Sequence, residues 1–238
     1  MTGALASAVA RTMKDEIKEV ATELLIRHGY QGFRFREIAD RLGTTRANIH
    51  YYFGSKQKLV DEVVCDYVGV TLRLFEAAWG DNSRSLDSKI RWMMEFNRQR
   101  YLRYNPTGAT GHPWSLIARS RLDRELVGSG ARQTSLDFGD DIERLVRRGI
   151  LGAIEQGELV AATPVDDVVL QLVAIVNSAD PITQDAGSFE RLEQLYLGFS
   201  RLLLHAYGAR TTARAEDRAV APLKRPTRFA SPRPDTSS

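Results

Sequence analysis

Four side chains that could bind nucleic-acid bases or phosphates occur within six residues: Arg46, Asn48, His50 and Tyr51. Arginine can donate two parallel hydrogen bonds to guanine, and asparagine can form a similar pair with adenine in the major groove. Thr45 precedes them, and because threonine is a good N-cap, the sequence predicts that a short helix begins there. Helices commonly enter the major groove by their N-terminal residues. The pattern therefore indicates a helix that reads DNA.

The residues before this helix have the spacing of a second short helix packed steeply against it. Ala39, Gly43 and Ile49 are separated by four and then six positions. The small Ala39 lets the two helices approach, and Gly43 permits a turn with positive φ between them. Residues 36–53 are therefore predicted to form a helix-turn-helix. A plain helical hairpin would share this spacing, so the flanking residues are needed to distinguish it from a DNA-binding helix-turn-helix.

Those flanking residues and the distribution of charge favour binding to phosphates. Gly54, Ser55 and Lys56 place a cation and free backbone N–H groups at a helix N-terminus, which suits an anion. Residues 1–60 hold ten lysines and arginines against six acidic residues, and residues 209–238 hold seven against three. The chain between them has an acidic excess, although the whole carries a net charge of +3. A basic N-terminal region is the expected footprint of a DNA-binding surface.

Apolar residues recur at intervals of three and four along nearly the whole chain, which predicts an all-α fold. Besides the helix-turn-helix, the predicted helices span 15–28, 55–79, 87–104, 113–127, 132–156, 165–178 and 188–207. The helix from Ser55 to about Trp79 passes from the basic region into the rest of the chain without a linker. We therefore expect it to be able to transmit movement.

The chain is predicted to have four parts. Residues 1–13 are an N-terminal arm, 14–60 the DNA-binding domain, and 61–208 a helical domain for effector binding and dimerisation. Residues 209–238 contain four prolines and one aromatic residue, too little apolar surface to offset chain entropy, so a disordered basic tail is expected.

Composition and missing motifs exclude several classes of protein. The chain is 43% hydrophobic, enough for a normal core, but it has no apolar run of transmembrane length. Cys65 is the single cysteine, which excludes an internal disulfide, and we expect it to be packed among valines. With no signal-peptide pattern, a cytoplasmic location is expected. The scattered histidines predict no metal site, and no catalytic or cofactor-binding motif is present, so neither a cofactor nor an enzyme is expected.

The stretch from about Ile17 to Leu59 resembles the DNA-binding domain of the TetR family of bacterial regulators. The resemblance rests on A-x-x-L-L-x-x-x-G-Y from Ala21 to Tyr30, E-I-A-D-R-L-G from Glu37 to Gly43, and T-R-A-N-I-H-Y-Y-F-G-S-K-Q-K-L from Thr45 to Leu59. The remainder resembles the family in being helical and of suitable length.

This resemblance implies which side chains contact DNA. Base contacts are implied at Arg36, Arg46, Ala47, Asn48 and His50, and phosphate contacts at Arg34, Thr45, Tyr51 and Lys56. Two positions depart from the family's pattern. Arg34 stands where many members have a capping Thr or Ser, and it could instead hold a phosphate. His50 stands where Tyr is commoner, and it can still donate to a base or phosphate.

The resemblance also implies how the protein works. An Ω-shaped homodimer would place two recognition helices in successive major grooves about 34–36 Å apart, on a palindromic operator. We expect a repressor that an unknown small-molecule effector releases from this operator, with no membrane partner. Two alternatives stay open, control by a protein partner and an architectural role, both without a small-molecule ligand.

The helical domain offers weaker signals. Trp92, Phe96 and Trp114 are candidates for the lining of a ligand pocket, although ordinary core packing would explain each of them. Arg98, Arg100 and Arg103 could be nearby cations or simply a solvated face. Family members dimerise through their last two helices, which implies an interface containing Val169, Val173, Val176, Leu195, Phe199 and Leu202.

Overall fold

The computed structural model describes residues 11–209, so most of the predicted arm and the predicted basic tail from residue 210 lie outside the described residues. The described chain forms α1 (Met13–Gly32), α2 (Phe35–Leu42), α3 (Arg46–Phe53), α4 (Lys56–Trp79), α5 (Leu86–Tyr104), α6 (Leu116–Leu122), α7 (Ser129–Glu155), α8 (Val165–Asn177), α9 (Ala179–Ala186) and α10 (Glu190–Tyr207). The predicted all-α fold is confirmed. Between residues 11 and 209 no helix is long and apolar enough to cross a membrane.

The first three helices form a small unit, which we call the head. α1 begins at a capping box, in which the Thr12 hydroxyl accepts from the N–H of Asp15 and the Asp15 carboxylate accepts from the N–H of Thr12. Gly29 has a φ of 66° and interrupts α1 directly after the predicted helix end at His28. Each helix contributes a fully buried isoleucine to one core: Ile17, Ile38 and Ile49.

Helices α4 to α10 form a larger unit, which we call the body. α4 starts at the Ser55 N-cap and continues into the body without a break, as the sequence predicted. Its main neighbour is α7. Trp79 at the end of α4 is 1% exposed and packs against Gly149 of α7, where a Cβ would lie 2.5 Å from the indole ring. The glycine therefore permits this close approach of the two helices.

The predicted helices differ from the structure in two places. The helix predicted over 113–127 is only Leu116–Leu122, since the backbone N–H groups of Trp114 and Ser115 bind the Asp180 carboxylate instead of continuing a helix. No helix was predicted between residues 178 and 188, yet the chain forms α9 there. Pro181 lies in the first turn of α9, where its missing N–H costs no hydrogen bond.

Candidate DNA-binding surface and body cavity

The recognition helix α3 is positioned by local backbone chemistry. Gly43 has a φ of 61° and ends α2, and the N–H of Thr44 closes that turn on the carbonyl of Ala39. Thr45 caps α3, its hydroxyl accepting from the N–H of Asn48 at 3.1 Å. Since Ile49 is fully buried, the opposite side of α3 must face outward. The predicted turn and N-cap are thus present at the predicted residues.

The side chains implied as base contacts differ in their exposure and in their hydrogen bonds to the rest of the head. Arg46, Ala47 and His50 are exposed, whereas Asn48 is half-buried and its amide donates to the Thr44 hydroxyl at 2.9 Å. The His50 ring lies edge-on to Phe35, and its Nδ1 is 3.1 Å from the Gly54 carbonyl oxygen. Asn48 and His50 are therefore held in place before any ligand arrives.

Arg36, the remaining implied base contact, lies on α2 with an exposed side chain. Its guanidinium is 3.7 Å from the Asp40 carboxylate one turn later. An exposed pair of this kind contributes little to stability, so it leaves the arginine available to a stronger anion.

The residues implied as phosphate contacts flank α3. Arg34 is the N-cap of α2 without a side-chain cap bond, as its replacement of a hydroxyl residue predicted. The Nζ of Lys56 lies 4.5 Å from the ring centroid of Tyr30 and 5.3 Å from that of Phe33. Desolvation and the nearby Arg34 charge lower the pKa of Lys56. Two cations that repel each other in this way form a place where an anion is stabilised.

Tyr51 and Thr45 complete this surface. Tyr51 is 84% exposed, which is unusual for a large aromatic side chain, while its neighbour Phe53 is buried in the head. The exposed hydroxyl can donate to a phosphate oxygen. The structure thus brings all nine implied DNA contacts onto α2, α3 and their flanks, and their contacts with DNA stay a prediction.

Ion pairs and hydrogen bonds join the head to the body. Lys18 of α1 lies 3.0 Å from the Glu62 carboxylate and 2.7 Å from that of Asp66, both on α4. The Asp123 carboxylate, directly after α6, accepts from the N–H of Tyr30 at 2.8 Å. The guanidinium of Arg119 packs against Gly29 so closely that a Cβ there would lie 2.3 Å from it. Both α4 and α6 therefore touch the head.

The body contains a recess between α4, α5, α6, α7, α8 and α9. Its enclosed space is about 40 Å³, within a recess of about 450 Å³ that includes its open mouth. Aromatic side chains form much of its wall: Phe75, Phe96, Trp114 and Phe138. Polar groups at the same wall are Thr71, Asn97, Arg100, Arg121, Asn177 and Asp180. Apolar walls with a few polar groups are typical of small-molecule sites.

Two of the three predicted pocket residues line this recess. Phe96 and Trp114 line the recess, whereas Trp92 does not and stacks on Phe96 with ring centroids 5.2 Å apart. Trp92 therefore lies behind the wall of this recess, and its role in ligand binding stays a prediction. Arg100 was named only as a possible cation near the pocket and Arg121 was not named, since their helices meet only in the folded body.

The three arginines of α5 have different environments. Arg98 pairs with Glu193, and Arg103 lies 3.2 Å from Glu23 of the head. Arg100 instead turns inward, which a uniformly solvated face did not predict. Cys65 also differs from its prediction, because the thiol is exposed and lies 3.2 Å from the Thr134 hydroxyl.

The side chains predicted to form the dimer interface are partly exposed on the single chain. Leu202 is 72% exposed and Leu195 is 39% exposed, while Val173, Val176 and Phe199 are half-buried. Val169 is only 1% exposed within the single chain and belongs to the core between helices, so it offers little surface to a partner. Leu170, which was not chosen, is 70% exposed beside it.

Among residues 11–209, no group of three or more histidine, cysteine or acidic side chains is arranged to hold a metal ion.

Comparison with known proteins shows what the N-terminal region is similar to. Residues 17–63 match the family model described as bacterial regulatory proteins, tetR family. The HTH-type transcriptional regulator QacR of Staphylococcus aureus is 28% identical over 98 residues, which cover 41% of this chain and 46% of that protein. The match therefore spans less than half the length of that relative. The N-terminal region is therefore similar to the tetR family of bacterial regulatory proteins.

Solved structures share the fold of nearly the whole described chain. A TetR-family transcriptional regulator from Agrobacterium tumefaciens has a TM-score of 0.68 at 20% identity, covering 82% of this chain and 97% of that one. A regulator from Saccharomonospora viridis, solved in complex with choline, has a TM-score of 0.63 at 19% identity, covering 83% and 98%. At these identities the likeness shows the fold, a helix-turn-helix head on a helical body.

Proposed function

We propose that this protein is a sequence-specific DNA-binding transcriptional regulator, a repressor that a small-molecule effector releases from a palindromic operator. The observation that carries the proposal is the recognition helix α3. Its buried Ile49 faces the head, while Arg46, Ala47 and His50 are exposed. A short helix that offers polar groups near its N-terminus has the geometry of direct base readout.

The phosphate side of the surface supports the same proposal. Arg34 and Lys56 flank α3, and the Ser55 hydroxyl accepts from the N–H of Lys58 at the start of α4. The Lys56 ammonium lies over two aromatic rings, which restrict its position. Such contacts fix the register of the protein on the duplex, and the base contacts add the specificity.

We also propose that the operator is bound by a homodimer formed through α8 and α10. Leu170 and Leu202 are exposed leucines on these two helices, and a patch of this kind marks an interaction surface. Leu202→Arg should convert the dimer to monomers in sedimentation experiments. Leu136→Arg, at a 61% exposed position on α7, is the matched control and should stay dimeric. A dimer in both variants would place the interface elsewhere.

The recess is proposed to be coupled to the head by α4 and α6. Residues Ile117, Ala118 and Arg121 of α6 line the recess, and Arg119 and Asp123 of the same segment touch Gly29 and Tyr30. A ligand that moves α6 therefore pushes directly on the head. It changes operator affinity only if it binds the two arrangements of the body with different affinity.

Control by a protein partner is the second candidate, and one observation favours it. The space inside the recess, about 40 Å³, holds only a few water molecules, so an effector bound at this place must widen it. A partner acting on the outside of the body would need no such opening. Effector-dependent release of an operator by a small molecule would decide against this candidate.

Selection of bound duplexes from a random DNA pool tests the proposed function. The wild-type protein should enrich a palindrome with half-sites about one helical turn apart. Binding without enrichment, with strong salt dependence, would contradict sequence-specific regulation and would support an architectural role. Arg144→Ala removes an exposed positive charge from α7, far along the chain from α3. This variant should enrich the same palindrome as the wild type, which would show that loss of a positive charge outside the head does not alter sequence preference.

A further inference from the structure

Arg100 is a positive charge turned into the body without a carboxylate partner. Within residues 11–209, no acidic side chain lies within ion-pair distance of its guanidinium, and its one side-chain hydrogen bond goes to the Thr71 hydroxyl at 2.8 Å. The guanidinium lies over the ring of Phe96 at 4.2 Å and that of Tyr67 at 4.5 Å. Burial lowers the pKa of Arg100, but arginine remains charged at neutral pH.

Arg121 places a second such charge at the same recess. Its guanidinium donates to the amide oxygen of Asn177 at 2.9 Å, and among the described residues it forms no ion pair. Burial lowers the pKa of this arginine too. The ion pairs found within residues 11–209 involve other lysines and arginines, for example Arg98 with Glu193 and Arg103 with Glu23. Both arginines line the recess.

Asp180 is the acidic side chain at the recess wall, and its oxygens are already engaged. One oxygen accepts from the backbone N–H groups of Trp114 and Ser115 at 2.9 and 3.3 Å, and the other accepts from the Gln184 amide at 2.7 Å. Burial raises the pKa of Asp180. Even with Asp180 ionised, the wall carries an excess of one positive charge.

An uncompensated charge away from water is costly, and a bound anion would offset that cost. The planar guanidinium donates paired hydrogen bonds to a carboxylate, which suits it to this ligand group. The rest of the wall is aromatic, with Phe75, Trp114 and Phe138 facing the same space. We propose that the recess binds a small organic carboxylate with an aromatic body, whose negative charge is held by Arg100 and Arg121.

This inference deepens the proposed function and rests on it for its regulatory meaning, since it names the chemical class of the effector. Arg121 belongs to α6, the helix that touches the head, so pairing it with an anion would act on the proposed coupling path. A cationic ligand would meet two positive charges here, and a neutral one would leave both unpaired.

Calorimetry of the full chain with benzoate and phenylacetate tests the inference, with benzamide and benzylamine as neutral and cationic matches. At least one acid should bind, and its matched amide and amine should bind about tenfold or more weakly. Arg100→Gln and Arg121→Gln should each weaken the acid about tenfold or more. Arg144→Gln, which removes an exposed charge, should bind as the wild type does.

Several results would overturn the inference: no binding by either acid, equal binding of acid and amide by the wild type, or undiminished binding by both glutamine variants. The comparison of acid with amide uses only the wild type, so it decides even if Arg100→Gln fails to fold. Operator binding is measured separately. Enrichment of a palindrome without carboxylate binding would remove this inference alone, whereas carboxylate binding without enrichment would remove the proposed DNA-binding function alone.

Discussion

The head and the body organise their functional side chains in opposite ways. In the head, Arg46, Asn48 and His50 lie on one eight-residue helix whose ends are fixed by Thr45 and Gly54. In the body, the side chains around the recess come from six helices, and Arg100 and Arg121 meet there only through tertiary packing. The head thus has a site that short-range chemistry builds, and the body has one that depends on the whole arrangement of helices.

The positively charged side chains of the two regions also differ in their exposure to solvent. Arg34, Arg36 and Arg46 of the head are exposed to solvent, where DNA phosphates can replace water at little cost. The two arginines of the recess are partly buried and lack carboxylate partners, so they gain most from a ligand that supplies one. A surface for a large polyanion and a recess for a small anion therefore differ mainly in burial.

The largest effect is expected from core mutations that destabilise either the head or the body. Ile49→Ala should lower the free energy of unfolding of the head by about 2–5 kcal/mol and abolish DNA binding, because the side chain is fully buried there. Leu172→Ala, equally buried in α8, should instead weaken the body and its dimer. Thermal unfolding and sedimentation would check both variants, and identical losses in the two would contradict the comparison.

A smaller effect is expected where α4 meets α7. Gly149→Ala should lower the stability of the body by about 1–3 kcal/mol, because its new methyl group would overlap the buried Trp79 ring. Chemical denaturation would measure the change. Gly152→Ala is the matched control on the same helix, since a Cβ there meets nothing within 4 Å. Equal destabilisation by the two would show that the close approach at Trp79 is unimportant.

The smallest effect concerns the phosphate surface. Lys56→Ala should weaken binding to all DNA sequences alike and reduce the slope of log affinity against log salt by about 1, because one phosphate contact is lost. Titrations of a selected duplex at several salt concentrations would give the slope. Lys58→Ala is a control, since Lys58 lies two residues on with an exposed side chain. A change of sequence preference in Lys56→Ala would mean that Lys56 reads bases.

The sequence predicted the head well because its determinants are local. The turn at Gly43, the N-cap at Thr45 and the buried Ile49 all lie within seven residues of one another. The body was predicted only as a series of helices. The inward position of Arg100, the shortened α6 and the burial of Val169 all depend on contacts between distant segments, such as Asp180 with Trp114. Helical periodicity shows which residues share a face, but not what that face meets.

The most direct test compares the wild-type protein with the double variant Arg46→Ala, Asn48→Ala on the selected palindrome and on a scrambled duplex of the same length. Wild type should prefer the palindrome, and the double variant should lose this preference while keeping its salt-dependent binding to both duplexes. That result would establish that α3 reads the sequence. An undiminished preference in the double variant would contradict the account.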